Sequence, residues 1–369
     1  MFRKNLIEYA VILLFKDRAD HLFSFTIFTF IVSLLSAVLF VSDAIRSDLV
    51  DAAKFGPDIV VENTLAGRAY KLSEEDRESI ADLAGVSAVE GDVEGYYYFS
   101  QQRVWFHLIA DSSLSLREMS VGEGVKEAMK AWHYDDAFNF FSTEGKITLK
   151  MLKTESKQTN ILSNDVIFMH PANVRAILGF KVDEYSKLLV TVPNPSEVGD
   201  ITLKIVQLLP TVKATSKEDI QASYRHLFYY KGGIFMILYW VCMVAFLILL
   251  KNQISLAYGE KKKEIAILRS IGYAIKDIIA LKFIQNALVA LSAFLLGVWI
   301  AYMYVFIFQA PLLRAIFLGS QLGRSVEFTP IVDLNLLFLL FVFSVIPFLA
   351  FVIIPSWKIA IADMSEAVR

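Results

Sequence analysis

The chain has 369 residues, of which 56% are apolar and 20% charged, with 29 Phe and a formal net charge of −2 at pH 7. Soluble domains run about 45–50% apolar and about 25% charged, so the apolar excess calls for burial in lipid as well as in a globular core. The near-neutral balance leaves no basic field to hold nucleic acid, and the single cysteine, Cys242, excludes a disulfide framework and Cys-based metal clusters.

From the N-terminus, Asn5 to Phe15 is apolar with few charges and reads as an interfacial helix. Leu22 to Val41 follows, 20 residues without a charge. A helix rises about 1.5 Å per residue, so such a run covers the roughly 30 Å hydrocarbon core of a bilayer. It starts late, behind charges of both signs, and exceeds the length of a signal-peptide apolar region, so it reads as an uncleaved first span. Three further runs are long enough to span: Gly232 to Leu250, Phe283 to Phe308 and Leu334 to Pro355.

Between the first two spans lies a segment large enough for a core of its own. Strands are expected at Asp58 to Glu62, Val86 to Val89, Tyr96 to Phe99, Val104 to Ala110, Asp165 to Met169, Lys187 to Val192 and Val212 to Ala214. Helices are expected at Leu72 to Leu83, opened by a Ser73/Asp76 capping pair, at Pro171 to Leu178 before Gly179, and at Ser196 to Leu209. Helices and strands alternate, which makes the segment α+β; residues 115–160 show no clear pattern. In Tyr96-Tyr-Tyr-Phe99 alternate rings must face opposite sides of the sheet, and the run reads as strand core rather than as a sugar-binding platform. Lys217 to Lys231 reads as a stalk into the second span.

Lys and Arg cluster before the first span (Arg3, Lys4, Lys16, Arg18) and between the second and third (Lys251, Lys261, Lys262, Lys263, Arg269, Lys276, Lys282). Only Arg314 and Arg324 lie between the third and fourth. Both termini and the 251–282 loop are therefore expected in the cytoplasm and residues 43–230 outside. That outer segment carries a net charge of −8 and the rest of the chain +6, in keeping with a basic inner face. The expected class is an α-helical integral membrane protein with four transmembrane helices and an α+β extracytoplasmic domain between the first and second. The expected boundaries are 1–21 for a cytoplasmic or interfacial N-terminal helix, 22–42 for the first span, and 43–231 for the outer domain and stalk. The second span is 232–250, the cytoplasmic loop 251–282, the third span 283–308, a short outer loop 309–333, the fourth span 334–355 and the tail 356–369.

In the 251–282 loop, Ile265, Leu268, Ile271, Ile275, Ile278 and Ile279 recur at three- or four-residue spacing. They form one apolar stripe opposite Lys261, Lys262, Arg269 and Lys276, as in a helix that rests at the headgroups or docks into a partner's groove. Gly272 permits a bend before the third span. No Gly-x-x-x-x-Gly-Lys-Ser/Thr, Gly-x-Ser-x-Gly or His-Glu-x-x-His motif occurs, so neither ATP binding nor hydrolytic chemistry has local support. Trp132-His-Tyr-Asp-Asp136 and the scattered His107, His170 and His226 lack the paired spacing of a metal site, and none is assigned.

The stretch Glu260-Lys-Lys-Lys-Glu264-Ile-Ala-Ile-Leu268-Arg269-Ser-Ile-Gly272 resembles the Glu-Arg-Arg-Arg-Glu-Ile-Gly-Ile-Leu-Arg-Ala-Leu-Gly signature of FtsX-like (MacB/LolE-type, type VII) ABC transporter permeases. The closing Pro355-Ser-Trp-Lys-Ile-Ala-Ile-Ala-Asp-Met-Ser-Glu366-Ala-Val-Arg369 is similar to that family's Pro-x-x-x-Ala…Pro-x-Glu-Ala-Leu-Arg, with Met364 in place of Pro and Val368 in place of Leu. The resemblance implies a non-catalytic permease subunit in a bacterial inner membrane that pairs with a second permease subunit, alike or different. It also implies a cytoplasmic ABC ATPase dimer as partner, gripped through a coupling helix to which Glu260, Glu264, Ile265, Leu268, Arg269, Ser270 and Gly272 are assigned. ATP and Mg would then be held by the ATPase, with no cofactor on this chain, and a periplasmic or membrane-fusion protein and membrane lipid complete the expected partners. Two other readings stand beside it: an envelope scaffold that regulates a periplasmic partner, and a membrane ligand sensor.

Overall fold

The computed structural model describes residues 2–16, 18–65, 68–142, 145–154, 160–226, 233, 237–248, 267–318 and 326–360. In chain order the helices are α1 (Phe2–Lys16), α2 (Arg18–Lys54), α3 (Glu74–Ala81), α4 (Glu123–Lys130), α5 (Asn160–Ser163) and α6 (Pro171–Leu178). They continue with α7 (Val198–Leu208), α8 (Lys217–His226), α9 (Ile237–Ile248), α10 (Ile275–Tyr302), α11 (Pro311–Leu318) and α12 (Leu334–Ala360). The strands are β1 (Ile59–Leu65), β2 (Arg68–Tyr70), β3 (Leu72–Ser73), β4 (Ala88–Asp92), β5 (Glu94–Phe99), β6 (Val104–Ala110) and β7 (Glu118–Val121). They end with β8 (Ala137–Ser142), β9 (Gly145–Thr154), β10 (Val166–Met169), β11 (Glu184–Tyr185), β12 (Lys187–Thr191) and β13 (Val212–Ser216). Two compact units result, one from residues 1–42, 230–310 and 329–369, the other from 43–229 and 311–328.

Among the described residues of the first unit, three helical stretches are long and apolar enough to cross a membrane: Arg18–Lys54, Ile275–Ile307 and Leu334–Phe351. The expected second span appears as the shorter apolar helix α9, whose flanks at 234–236 and 249–250 lie outside the described residues. Phe28 of α2, Phe246 of α9 and Phe348 of α12 are all buried and meet as a triad, with ring centroids 4.8–5.9 Å apart. Small residues let helix backbones approach closely in lipid, where apolar side chains gain little by leaving hydrocarbon. Gly297 of α10 is such a point: a Cβ there would stand 2.9 Å from the Thr29 carbonyl oxygen of α2. Tyr239 of α9 donates to Ser344 Oγ of α12 at 3.1 Å, a hydrogen bond with no competing water.

The helices overrun the expected boundaries. α2 continues past residue 42 to Lys54, because its outer turns carry Asp43–Arg46 and Asp51–Lys54 ion pairs at i,i+3 spacing, and it stops before Gly56 and Pro57. α10 starts at Ile275 instead of 283. It closes in a π-turn, Met303–Ile307, followed by Gln309 and Ala310 at φ 57° and 38°. The expected 309–333 loop holds the apolar helix α11, which its length had not suggested.

The second unit is α+β. One sheet runs β13-β1-β12-β4, with β2 also on β1, and all its pairs are antiparallel. Ile59, Val61, Leu188 and Val190 point from it onto Ile80 of α3 and Ile201 and Ile205 of α7. Ser73 caps α3 as expected, with its side chain accepting from the Asp76 N–H and Asp76 accepting from the Ser73 N–H. The other sheet runs β5-β6-β10-β7-β9-β8, with parallel pairs β6/β10 and β7/β9. Its core face gathers Phe99, Phe106, Phe138 and Phe140 against Val125 and Met129 of α4 and Val174 of α6. The illegible 115–160 region thus supplies α4 and three strands of this sheet, β7, β8 and β9.

The start of α4 is built on a close approach. Gly122 donates to the Val166 carbonyl at 2.9 Å, and Asn164 Oδ1 accepts from the Gly124 N–H at 3.1 Å, in place of a side-chain cap from the helix itself. A Cβ on Gly122 would lie 1.9 Å from the Ser163 carbonyl oxygen, a backbone atom that cannot yield. Gly122→Ala is expected to cost about 1–3 kcal/mol through overpacking. That is a fall of roughly 2–4 °C in Tm per kcal/mol for a domain of this size, measurable by near-UV circular dichroism of the purified chain.

Candidate functional site

The candidate site is the segment that enters α10. Of the residues assigned to it, Glu260, Glu264 and Ile265 lie outside the described residues. The description resumes with a helical turn at 267–270. That turn ends in a double closure: the Gly272 N–H donates to the Arg269 carbonyl at 3.0 Å, and the Tyr273 N–H to the Leu268 carbonyl at 3.1 Å. These are the two bonds of a Schellman cap, and Gly272, at φ 102°, supplies its left-handed residue. The motif's apolar contact joins the residues on either side of the bend, and here Leu268 and Tyr273 share one cluster. The chain then starts again at Ala274, whose N–H donates to Asp277 Oδ2 at 3.1 Å in the first turn of α10. The bend expected at Gly272 is therefore a helix stop followed by a new helix, and the single stripe read through it is broken in two.

The break decides which residues face outward. Leu268 is 5% exposed and packs with Ala10 and Leu13 of α1 and with Ile278 and Leu281 of α10. Tyr9 of α1 stacks on Tyr273 at 6.5 Å, and Gln285 Nε2 of α10 reaches the Ala10 carbonyl at 3.5 Å. The helix expected at residues 5–15 thus packs on α10 with one side and leaves Ile12 and Phe15 exposed. Ile267 and Ile271 point the other way, 59% and 70% exposed, with Ser270 exposed beside them. Arg269 is half-buried. The surface offered between 267 and 272 is accordingly Ile267, Ser270 and Ile271. Leu268 is buried in this packing, and Gly272, itself exposed, supplies the left-handed residue of the turn that presents this surface. Ile267 went unassigned because, on one unbroken helix, it falls beside the stripe and not on it.

In the second unit the charged groups gather around Lys187. Its ammonium lies 3.4 Å from Asp92 Oδ2 and hydrogen-bonds Glu94, and His107 Nε2 is 3.6 Å from Glu94 Oε2. Burial pulls the Lys187 ammonium down, but Glu94 and Asp92 outweigh it and hold the group above the usual lysine range. Burial pushes Asp92 and Asp165 up; Lys187 offsets part of this for Asp92, and His107 does so for Asp165. Among the described residues no group of three or more His, Cys, Asp or Glu is placed to hold a metal. His133 lies in a turn at φ 60°, while its neighbour Tyr134 packs on the aromatic core. The 96–99 run divides as a strand must: Phe99 is buried and Tyr97 packs inward, while Tyr96 and Tyr98 are exposed and lie against His107 and Trp105 at 4.8 and 4.9 Å.

Residues 235–364 match the family described as FtsX-like permease C-terminal, a stretch that contains α9, the 267–272 segment, α10 and α12. Similar solved structures include the periplasmic region of MacB from Actinobacillus actinomycetemcomitans, at 10% identity and TM-score 0.30 over 45% of this chain and 92% of that one. Another is the extracellular domain of the noncanonic ABC-type transporter YknZ from Gram-positive bacteria, at 10% identity and TM-score 0.28 over 44% of this chain and 100% of that one. No curated protein matches the chain.

Removing the Leu268 side chain should loosen both α1 and the turn that carries Ile267 and Ile271. Leu268→Ala is expected to cost about 2–3 kcal/mol, as for other buried Leu truncations, and to raise amide exchange in α1 and the turn, with the second unit unchanged. For Asp165, a folded pKa above the unfolded value contributes stability below about pH 3.8, and this is lost as the pH rises through the folded value. Asp165→Asn should therefore raise Tm at pH 7 and give no gain at pH 3. Melting curves at the two values check the sign.

Proposed function

We propose, from the match of residues 235–364 to the FtsX-like permease C-terminal family, that the chain is the membrane-spanning, non-catalytic subunit of an ABC transporter that carries ATP-driven motion to its extracytoplasmic unit. In this reading α9 is the core of the second of four spans, both termini are cytoplasmic, and the unit of residues 43–229 lies in the periplasm. The observation that carries it is the pair of exposed apolar residues, Ile267 and Ile271, on a short rigid turn inside the matched segment. An apolar pair held out by a capped turn has little backbone entropy left to lose on docking, since its backbone is already ordered. Glu260, Glu264 and Ile265 extend the same contact in sequence, and Arg269 flanks it. The ATP and Mg belong to a separate ATPase dimer, and a second permease subunit completes the assembly.

The motion has a physical path within the first unit. Leu268 ties the turn to α1 and α10, so force on Ile271 is delivered to two helices at once. α10 is packed on α2 at Gly297, so displacement at the turn is passed to the first span as well.

Ile271→Asp should weaken the ATPase complex about thirtyfold, as the loss of an interface anchor worth about 2 kcal/mol does, with exchange protection of α1 retained. Leu268→Asp should instead disrupt the first unit itself. Co-reconstitution with the ATPase, read as hydrolysis rate against permease concentration, separates the two; equal coupling in wild type and Ile271→Asp would refute the proposal.

A further inference from the structure

Where α1 meets α2, an open groove of about 720 Å³ runs along the first unit, walled by Phe15 of α1, Leu22 and Phe25 of α2 and Leu288 of α10. Among the described residues its lining is almost wholly apolar, and the charged or titratable members, Arg18 and His21, both come from the first turn of α2. Phe25 is seven residues further along α2, about 10 Å deeper at 1.5 Å per residue. On the α10 side Ser292 also lines the groove, but its hydroxyl donates to the Leu288 carbonyl of its own helix at 2.7 Å and asks nothing of an occupant. The cavity therefore has one cationic end and one end with no polar demand.

We propose that this groove holds an anionic phospholipid of the inner leaflet, its acyl chain along Phe15, Leu22, Phe25 and Leu288 and its phosphate at Arg18 and His21. The volume lies within the roughly 300–1,000 Å³ of built ligand pockets. Leu22 and Phe15 are 64% and 71% exposed, too apolar to face water, so lipid tails are their natural cover. Arg18 stands at the start of the first span, the depth of the headgroups, where a basic pocket between helices selects acidic lipid. The same α1 that lines the groove with Phe15 buries Leu268 with Ala10 and Leu13, so an occupied groove braces the turn that carries Ile267 and Ile271. The inner-leaflet assignment rests on the cytoplasmic placement of the termini in the proposed function.

The test is native mass spectrometry of the purified full chain in mild detergent, titrated with phosphatidylglycerol or phosphatidylcholine. Wild type should retain phosphatidylglycerol preferentially. Arg18→Gln should weaken that lipid about fivefold, the effect of one basic residue at a membrane surface, and leave phosphatidylcholine unchanged. Ser292→Trp, which fills the groove, should lower retention of both. Undiminished phosphatidylglycerol binding in either variant would overturn the proposal, as would a change in subunit stoichiometry with Ser292→Trp at unchanged lipid, which would make the groove a contact between copies. Orientation is read separately, by an impermeant maleimide on intact cells carrying Lys16→Cys in a Cys242→Ser background. Labelling from outside would refute the inner-leaflet assignment, and protection until lysis supports it; lipid retention in detergent decides the groove in either case.

Discussion

Leu268 is the residue on which the proposed coupling surface depends. It belongs in sequence to the segment that enters α10, yet its side chain is shared with α1 from the far N-terminus. The four described helical residues before Gly272 are held by more than their own hydrogen bonds. Burial of one leucine, together with the Schellman closure at Gly272 and the ring contact of Tyr9 with Tyr273, gives it a fixed shape. Ile267 and Ile271 are then displayed because Leu268 is not.

The remainder of the first unit shows how helices associate when solvent offers no hydrophobic drive. The Phe28, Phe246 and Phe348 triad gains by dispersion and ring packing, and Gly297 gains by bringing two backbones together. The Tyr239 hydroxyl of α9 reaches both Ser344 Oγ and the Phe343 carbonyl of α12, which helps to fix their register. An anionic lipid in the groove beside α1 would add a ligand's binding energy to a helix otherwise held by a few side chains.

The second unit obeys the rules of a water-soluble domain. Its two larger sheets have separate cores, one built mainly of Val and Ile and the other carrying the Phe and Met side chains, and Tyr185 touches both. Its hydroxyl donates to Glu74 Oε2 at 2.6 Å while Arg175 lies 5.2 Å from its ring. Around Lys187 the desolvation of the ammonium is met by Asp92 and Glu94, whereas burial leaves Asp165 above the usual carboxylate range.

Much of this was legible in the residues. Long uncharged runs must leave water, which marked the spans; apolar and aromatic residues marked β6 to the residue; Ser73 with Asp76 and Pro171 with Gly179 marked the ends of α3 and α6. Short or irregular pieces escaped, such as β7 with its four residues and α11 in an apparent loop, because they hold their form by pairing and packing rather than by local pattern. At the candidate site the sequence by itself determined the apolar spacing and the glycine stop. Only the tertiary structure decided which apolar residues face in and which face out. A 3.6-residue period defines a stripe but not its partner, the phase is lost at Gly272, and the helix that claims Leu268 is distant in the chain.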